Sequence, residues 1–457
     1  MFSVAATGGV MAAQAGWWTL PAIAGLALPF VVASLVFRLL NRHFPHSGAS
    51  YHWSARVIGR GVSRYQAWIL ILAYFFSIPP IAIPAGSYTL ALVAPHAHPS
   101  SLARLALTLF WMGFAALPLL LGGRPTARVT QAFFALEMTA LAAFGVAGAL
   151  SWHRLAVPVH FGPPPIKGIL VVAVIAATIL DGWEIDSYAS EEAMRPREDP
   201  GVGGILGALG ALVFYGVLYP LMLGETPSSS LANSVDPLAV WAHRLVPGAP
   251  WLMLVPILAS TAGGLWLTSF ILTRALYAMG RENLISPQFS RLNRHRVPWV
   301  AIVVSLGSGA VVVTVQLFVS SLSSFFNLVL SAAGFFILAE FFLDSLTAAV
   351  FLTIGHRRLP DVRLRRHAHP MLLAGSILSS AVMGALLVAF FLVGPSAIGH
   401  GIDEALGALL GLGLVFAWRT KRRATRPFVF DDEEAGEGGS WSGATRPVAA
   451  AEGLPTR

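Results

Sequence analysis

Eleven predominantly apolar runs recur along this chain, near residues 18–40, 67–93, 102–121, 129–150, 168–187, 201–223, 251–279, 299–319, 324–354, 371–393 and 402–418. At about 1.5 Å rise per residue each can cross a hydrocarbon core about 30 Å thick. Lipid offers no partner to a backbone N–H or C=O, so runs of this length leave only the α-helix. The expected class is therefore an all-α polytopic membrane protein in contact with the lipid bilayer. Composition agrees, with 56% hydrophobic and 11% charged residues against about 25% charged in a soluble domain.

The net charge of +8 would suit a nucleic acid only if it were gathered on one patch. The arginines instead sit in short loops between apolar runs, so no nucleic-acid partner is expected. There is no cysteine, which removes disulfides and thiolate metal sites. The histidines lie mostly in loops, with no His-x-x-x-His pair on an apolar run and no Ser/His or His/Asp set at one membrane face. Neither a metal, a cofactor nor an enzymatic centre is expected.

Orientation follows from the basic residues. With the loop at 42–64 placed in the cytoplasm, the other side holds only Arg104, Arg154, Lys167 and Arg244. The C-terminus is then cytoplasmic, the Ala-, Gly- and Arg-rich composition suggests a bacterial inner membrane, and the polar, Gly-rich 427–457 segment reads as a disordered tail. Residues 1–16 are apolar but too short to cross and have no basic leader region. They read as half a helix, with Ser3 to Gly9 unwound ahead of it, or as a start placed inside a hydrophobic leader. In the first reading the amide end near Val4 and Ala5 attracts a carboxylate. Pro79, Pro80 and Pro84 should kink the 67–93 helix, for packing or for function.

Six acids fall inside the runs: Glu137, Asp181, Glu184, Asp186, Glu340 and Asp344, with no lysine or arginine at comparable depth. An ionised acid at the centre of a membrane helix costs about 2.5 kcal/mol or more. Each must reach interfacial water, carry a proton, or meet a mobile cation such as a proton, a sodium ion or an amine. Asp181 lies roughly 20 Å beyond Lys167 along a helix and precedes Gly182, Trp183 and Glu184. Acids around a glycine at that depth suggest a broken helix at a midplane binding site. Glu340 and Asp344 share a helix face at i,i+4, suited to a gate, a proton path or pairing with loop arginines. Glu191 and Glu192, beside Arg195 and Arg197, read as a solvated surface pair. Trp266, Thr268 and Ser269 either line a pocket or mediate helix contact.

Three stretches resemble the amino acid/polyamine/organocation transporter superfamily. Phe44 to Trp53, FPHSGASYHW, is similar to the loop after that family's second helix. Asp181 to Pro200, DGWEIDSYASEEAMRPREDP, is similar to its broken sixth helix, and Arg274 to Pro298 to the end of its eighth helix and the following loop. The resemblance implies a five-plus-five inverted-repeat transporter fold, with a first repeat at about 1–150, a second at 167–355 and two further helices at 370–419. It places substrate between the broken first and sixth helices, at Val4, Ala5, Leu180, Asp181, Gly182, Trp183 and Glu184. Asp186, Glu137, Glu340 and Asp344 are left for coupling or gating. Two departures stand out: the first helix lacks its cytoplasmic half, and the fifth carries Glu137 and no lysine. The implied function is secondary active transport of an amino acid or organic amine by alternating access, with a proton as the expected coupling ion. The alternative is a sensor or accessory protein that keeps the permease fold without transporting.

Overall fold

The structure, a computed structural model, describes residues 2–421 apart from 95–99, 160, 235, 249–250, 320, 356–368 and 400, together with residue 423. The tail at 427–457 and the arginines at 357–366 lie outside the described residues. Every regular element among the described residues is helical. In order they are α1 (Phe2–Ala15), α2 (Thr19–His43), α3 (Ala49–Val57), α4 (Arg60–Val93), α5 (Ser101–Leu121), α6 (Gly123–Leu155), α7 (Ile166–Leu180), α8 (Ile185–Tyr188) and α9 (Asp199–Glu225). There follow α10 (Ser228–Ala232), α11 (Pro237–Leu245), α12 (Trp251–Arg281), α13 (Trp299–Thr314), α14 (Leu322–Val350), α15 (His369–Ala397) and α16 (Ile402–Lys421).

Nine helical runs among the described residues are long and apolar enough to cross a membrane, α1 and α2 counting as one from Ser3 to His43. The shorter α7 and the C-terminal α16 occupy the two remaining expected positions. Burial sorts the helices into two shells. α4, α12 and α14 are enclosed by neighbours, while α5, α6, α9 and α15 turn large apolar side chains outward, among them Phe110, Leu150, Leu206 and Leu392. A helix apolar on every face is a buried one, and an outward apolar face on a crossing helix is a lipid-facing one.

Two expectations are corrected. Ser3 to Gly9 is helical, with the Thr7 hydroxyl donating to the Ser3 carbonyl at 2.6 Å. The paired glycines there serve close packing, because a Cβ on Gly9 would lie 2.9 Å from the Ser234 carbonyl oxygen. The helix that holds Pro79, Pro80 and Pro84, all of them buried, is one continuous element from Arg60 to Val93. Within the basic loop at 42–64, residues 49–57 form α3, a nine-residue helix with all but Ala55 and Arg56 buried. The Trp53 indole of α3 donates to the Phe44 carbonyl at 2.9 Å, and the helix packs on α4 and α14.

The geometry of α1 and α7 positions the site. A Cβ on Gly168 would lie 1.9 Å from the Gln14 carbonyl oxygen, so the start of α7 touches the end of α1. The two helices pack together along their length and run antiparallel, which brings the end of α7 to the level of the start of α1.

Candidate functional site

The crossing helix at 166–188 is interrupted where the sequence indicates. α7 stops at Leu180, Asp181 is extended, Gly182 has φ +106° and Trp183 and Glu184 turn into α8. An L-residue rarely adopts that backbone conformation, so glycine is what lets the chain leave the helix here. Glu184 braces the turn, its Oε2 accepting the Gly182 N–H at 2.8 Å. Its Oε1 accepts the Tyr74 hydroxyl of α4 at 3.2 Å. Asp181 Oδ1 is buried with no hydrogen-bond partner among the described residues. Trp183 wedges into an aromatic cluster, stacked on Phe341 at 5.4 Å and edge-on to Phe37 at 5.0 Å.

Tyr74 leads from the break to the next pair of acids. Its hydroxyl also lies 3.5 Å from Glu340 Oε1, and the Tyr188 hydroxyl of α8 donates to the same oxygen. Ser50 of α3 stands between the two acids of α14, 2.9 Å from Glu340 Oε1 and 2.8 Å from Asp344 Oδ2. Gln66 donates to Asp344 Oδ1 at 2.7 Å. Glu340 and Asp344 are both fully buried, and among the described residues neither pairs with an arginine. Three of the six acids of the apolar runs, Glu184, Glu340 and Asp344, therefore gather in one hydrogen-bonded chain from the break toward α3, with Asp181 beside it at the break. No ion pair found among the described residues includes any of them.

The other two acids stand apart. Glu137, half-buried on α6, accepts from Ser260 of α12 at 2.9 Å. Asp186 lies against α9, where a Cβ on Gly203 would meet its carboxylate at 1.9 Å. Trp266 is packed rather than pocket-lining, stacked on Phe133 at 5.2 Å.

At the arginine-rich end a second cluster closes the bundle. Glu191 is buried, not solvated as the sequence suggests. The Arg281 guanidinium forks onto both its oxygens at 2.8 and 2.7 Å, and Ser47 donates to Oε1 through its N–H at 2.9 Å and its hydroxyl at 2.8 Å. Arg274 binds Glu192 at 2.6 Å, and Arg195 instead pairs with Asp199 at 2.7 Å. The stacked rings of His46 and His52, 3.8 Å apart, both approach Glu282 Oε1, at 3.2 and 3.5 Å. Burial alone would raise the Glu191 carboxyl, but the Arg281 charge outweighs it and holds the group well below the usual carboxylate range. Glu282 is likewise held low against its burial by His46 and His52. Burial, then the neighbouring His46, lowers His52 to about 4. These three histidine and glutamate groups lie close enough to suggest a metal site, yet the Gly48 N–H donates to His46 Nδ1 at 2.9 Å. The Arg281 guanidinium also lies 3.1 Å from His46 Nε2, so a fixed cation already stands beside the atoms that a metal would need.

The opposite end is open. A cavity of about 1220 Å³ begins at Ala6 and follows one face of α1 through Val10, Ala13 and Gln14, with Tyr88 and Asp236 in its wall. Burial raises the Asp236 carboxyl to about 7, against the hydrogen bonds it accepts from the backbone at the start of α11. Val4, Ala5 and the break residues do not line this cavity. Val4 and Ala5 are buried at the level of the break, one residue beyond the cavity's near end.

The sequence reading missed Ser50, Gln66, Tyr74, Tyr188 and the Arg281 fork. Gln66 at the start of a long apolar run was the one available signal, since an amide there needs a buried partner.

The profile of the family described as amino acid permease matches residues 1–406. Over 313 residues the chain is 23% identical to the branched-chain amino acid permease BcaP of Lactococcus lactis subsp. cremoris, an alignment covering 63% of this chain and 66% of that protein. It is 23% identical over 301 residues to the cationic amino acid transporter 3, mitochondrial, of Arabidopsis thaliana, covering 60% of this chain and 49% of that one. It is also 23% identical over 316 residues to the L-methionine/branched-chain amino acid exporter YjeH of Escherichia coli, covering 67% and 72%. The chain thus spans 66% and 49% of the length of the first two relatives. Among solved structures, its fold is similar to that of a manganese transporter from Eremococcus coleocola, with TM-score 0.52 and 16% identity over 92% of this chain and 95% of that one.

Proposed function

Because this chain belongs to the amino acid permease family, we propose that it carries an amino acid or organic amine across the membrane by alternating access, coupled to protons. The observation that carries the reading is the interrupted helix, with Asp181 and Glu184 at its break and no basic partner beside them among the described residues. Such a site lacks a positive charge and invites one from the substrate.

In this reading the substrate carboxylate takes the amide end of α1 at Val4 and Ala5. Its amine meets the Leu180 carbonyl and Asp181, whose Oδ1 has no other partner among the described residues. Gly182 supplies the turn, Glu184 braces it and Trp183 anchors it against Phe37 and Phe341. The antiparallel packing of α1 on α7 supports this pairing, since it sets Val4 and Ala5 at the level of the break. The repeats at about 1–150 and 167–355 would be the two bodies that move. The cavity along α1, with the opposite end closed, supports a conformation open on one side. The arginine asymmetry supports placing the closed side and the C-terminus in the cytoplasm, and the membrane as a bacterial inner membrane.

Uptake of labelled amino acids into proteoliposomes tests the reading. Asp181→Asn is expected to lose uptake of amines and amino acids while folding as the wild type does. Undiminished uptake by that variant would remove Asp181 from the mechanism, and no uptake by the wild type would remove the transport reading itself.

A further inference from the structure

Counting protons at Ser50 adds a site. The Ser50 Oγ lies 2.9 Å from Glu340 Oε1, 2.8 Å from Asp344 Oδ2 and 3.1 Å from the Tyr188 hydroxyl. A serine hydroxyl has one proton to give and two lone pairs with which to accept. It can satisfy one carboxylate, and the other would then face it lone pair to lone pair. Tyr188 does not resolve this, because its own proton is directed at Glu340 Oε1. Gln66 does not either, because it donates to the other oxygen of Asp344. The short contacts to both acids are accounted for when Asp344 Oδ2 carries a proton and donates it to Ser50, which donates in turn to Glu340.

A hard metal ion fits less well. Oxygens bound octahedrally at about 2.1–2.5 Å from such an ion stand about 3.0–3.5 Å from one another, farther than the two Ser50 contacts. The facing groups are Tyr188 from α8, Ser50 from α3, Gln66 and Tyr74 from α4 and Glu184 from the break, while α2 presents Phe37 and α15 presents Ser379 beside Ser345. None of these is basic.

Resting on the transport reading, we propose that Glu340 and Asp344 form a single-proton site bridged by Ser50, and that Tyr74 relays this proton to Glu184 at the helix break. In the first step the Asp344 O–H bond breaks and its proton binds Ser50 Oγ, while the Ser50 proton passes to Glu340 Oε1. In the second the Glu340 proton binds the Tyr74 oxygen as the Tyr74 proton passes to Glu184 Oε1. Each hydroxyl ends as it began, and one proton has moved from Asp344 to Glu184. Glu184 Oε2 holds the Gly182 N–H. Neutralising Glu184 weakens that charge-assisted bond, and so the proton acts on the turn that receives substrate.

Infrared spectra of the full chain in nanodiscs at neutral pH test the site without any transport. A protonated-carboxyl band is expected in the wild type and is expected to be lost in Asp344→Asn. Absence of the band, or its survival in both Asp344→Asn and Glu340→Gln, overturns the proposal. Should Asp344→Asn fail to fold, Ser50→Ala removes only the bridging hydroxyl and is expected to shift the same band; an unshifted band overturns the bridge. In proteoliposomes, Tyr74→Phe is expected to lose accumulation driven by a pH gradient to a far greater extent than counterflow exchange. Equal effects on both, or none, overturn the relay. A wild type that moves no amino acid in either assay instead defeats the transport reading, and the infrared result still decides the proton site.

Discussion

Arg281 and Glu191 show what a single side chain contributes at the closed end. Both are nearly buried, and the fork between them is bidentate. Removing one charge leaves the other buried and unpaired, so Glu191→Gln should cost about 3–5 kcal/mol, read as a lowered thermal midpoint in detergent. Arg281→Lys keeps the charge but cannot make two parallel bonds, and should be destabilised as well. The same end predicts a pH dependence. His52 titrates near 4 in the folded chain, below its ordinary value. A base with a lowered folded pKa leaves the unfolded state binding more protons, so stability rises with pH across that interval. Stability should therefore fall as pH drops from about 6.5 toward His52's folded value, and fall further as Glu191 and Glu282, both held low, take up protons. His52→Gln should flatten the upper part of that slope in a thermal-unfolding series.

At the scale of elements, two glycines make separable predictions. Gly182 has φ +106° and open space where a Cβ would stand, so Gly182→Ala should cost about 1–2 kcal/mol through backbone strain alone. Gly168 is in ordinary helix, yet its Cβ would collide with the Gln14 carbonyl. Gly168→Val should therefore pry α7 from α1 and lower the thermal midpoint more than Gly182→Ala does. The break at Gly182 was legible in the sequence because acids around a glycine in an apolar run have few alternatives. The helicity and burial of α3 were not, since Ser50, Tyr51 and His52 look like loop residues and their partners come from distant parts of the chain. Ser50 meets Asp344 across 294 residues of sequence, a pairing that no local pattern encodes. The same distance hid the partners of Glu340 and Asp344, whose shared face was plain from their spacing. Glu191 was misread for the opposite reason: Arg195 and Arg197 are near it in sequence, but Arg281 is nearer in space.

For the molecule as a whole, the absence of cysteine makes every introduced thiol a lone reporter. Ser87 lines the cavity along α1, and Ser54 is buried in α3 at the closed end. Ser87→Cys should react with a water-soluble maleimide, and Ser54→Cys should be protected. Adding Glu191→Gln to Ser54→Cys should raise its labelling rate about tenfold or more, since the lost fork raises the population of open states by its free energy. Equal labelling of the two single variants would contradict a bundle closed at the arginine-rich end.

Ser47 and Ser50 lie three residues apart, one bound to Glu191 and the other to the acids of α14. This short span ties two equilibria into one thermodynamic cycle. If unlocking the end of the bundle changes the proton affinity of Glu340 and Asp344 by some factor, protonation must change the ease of unlocking by the same factor. An isotherm of proton uptake, measured with and without Glu191, would yield that common factor from either direction.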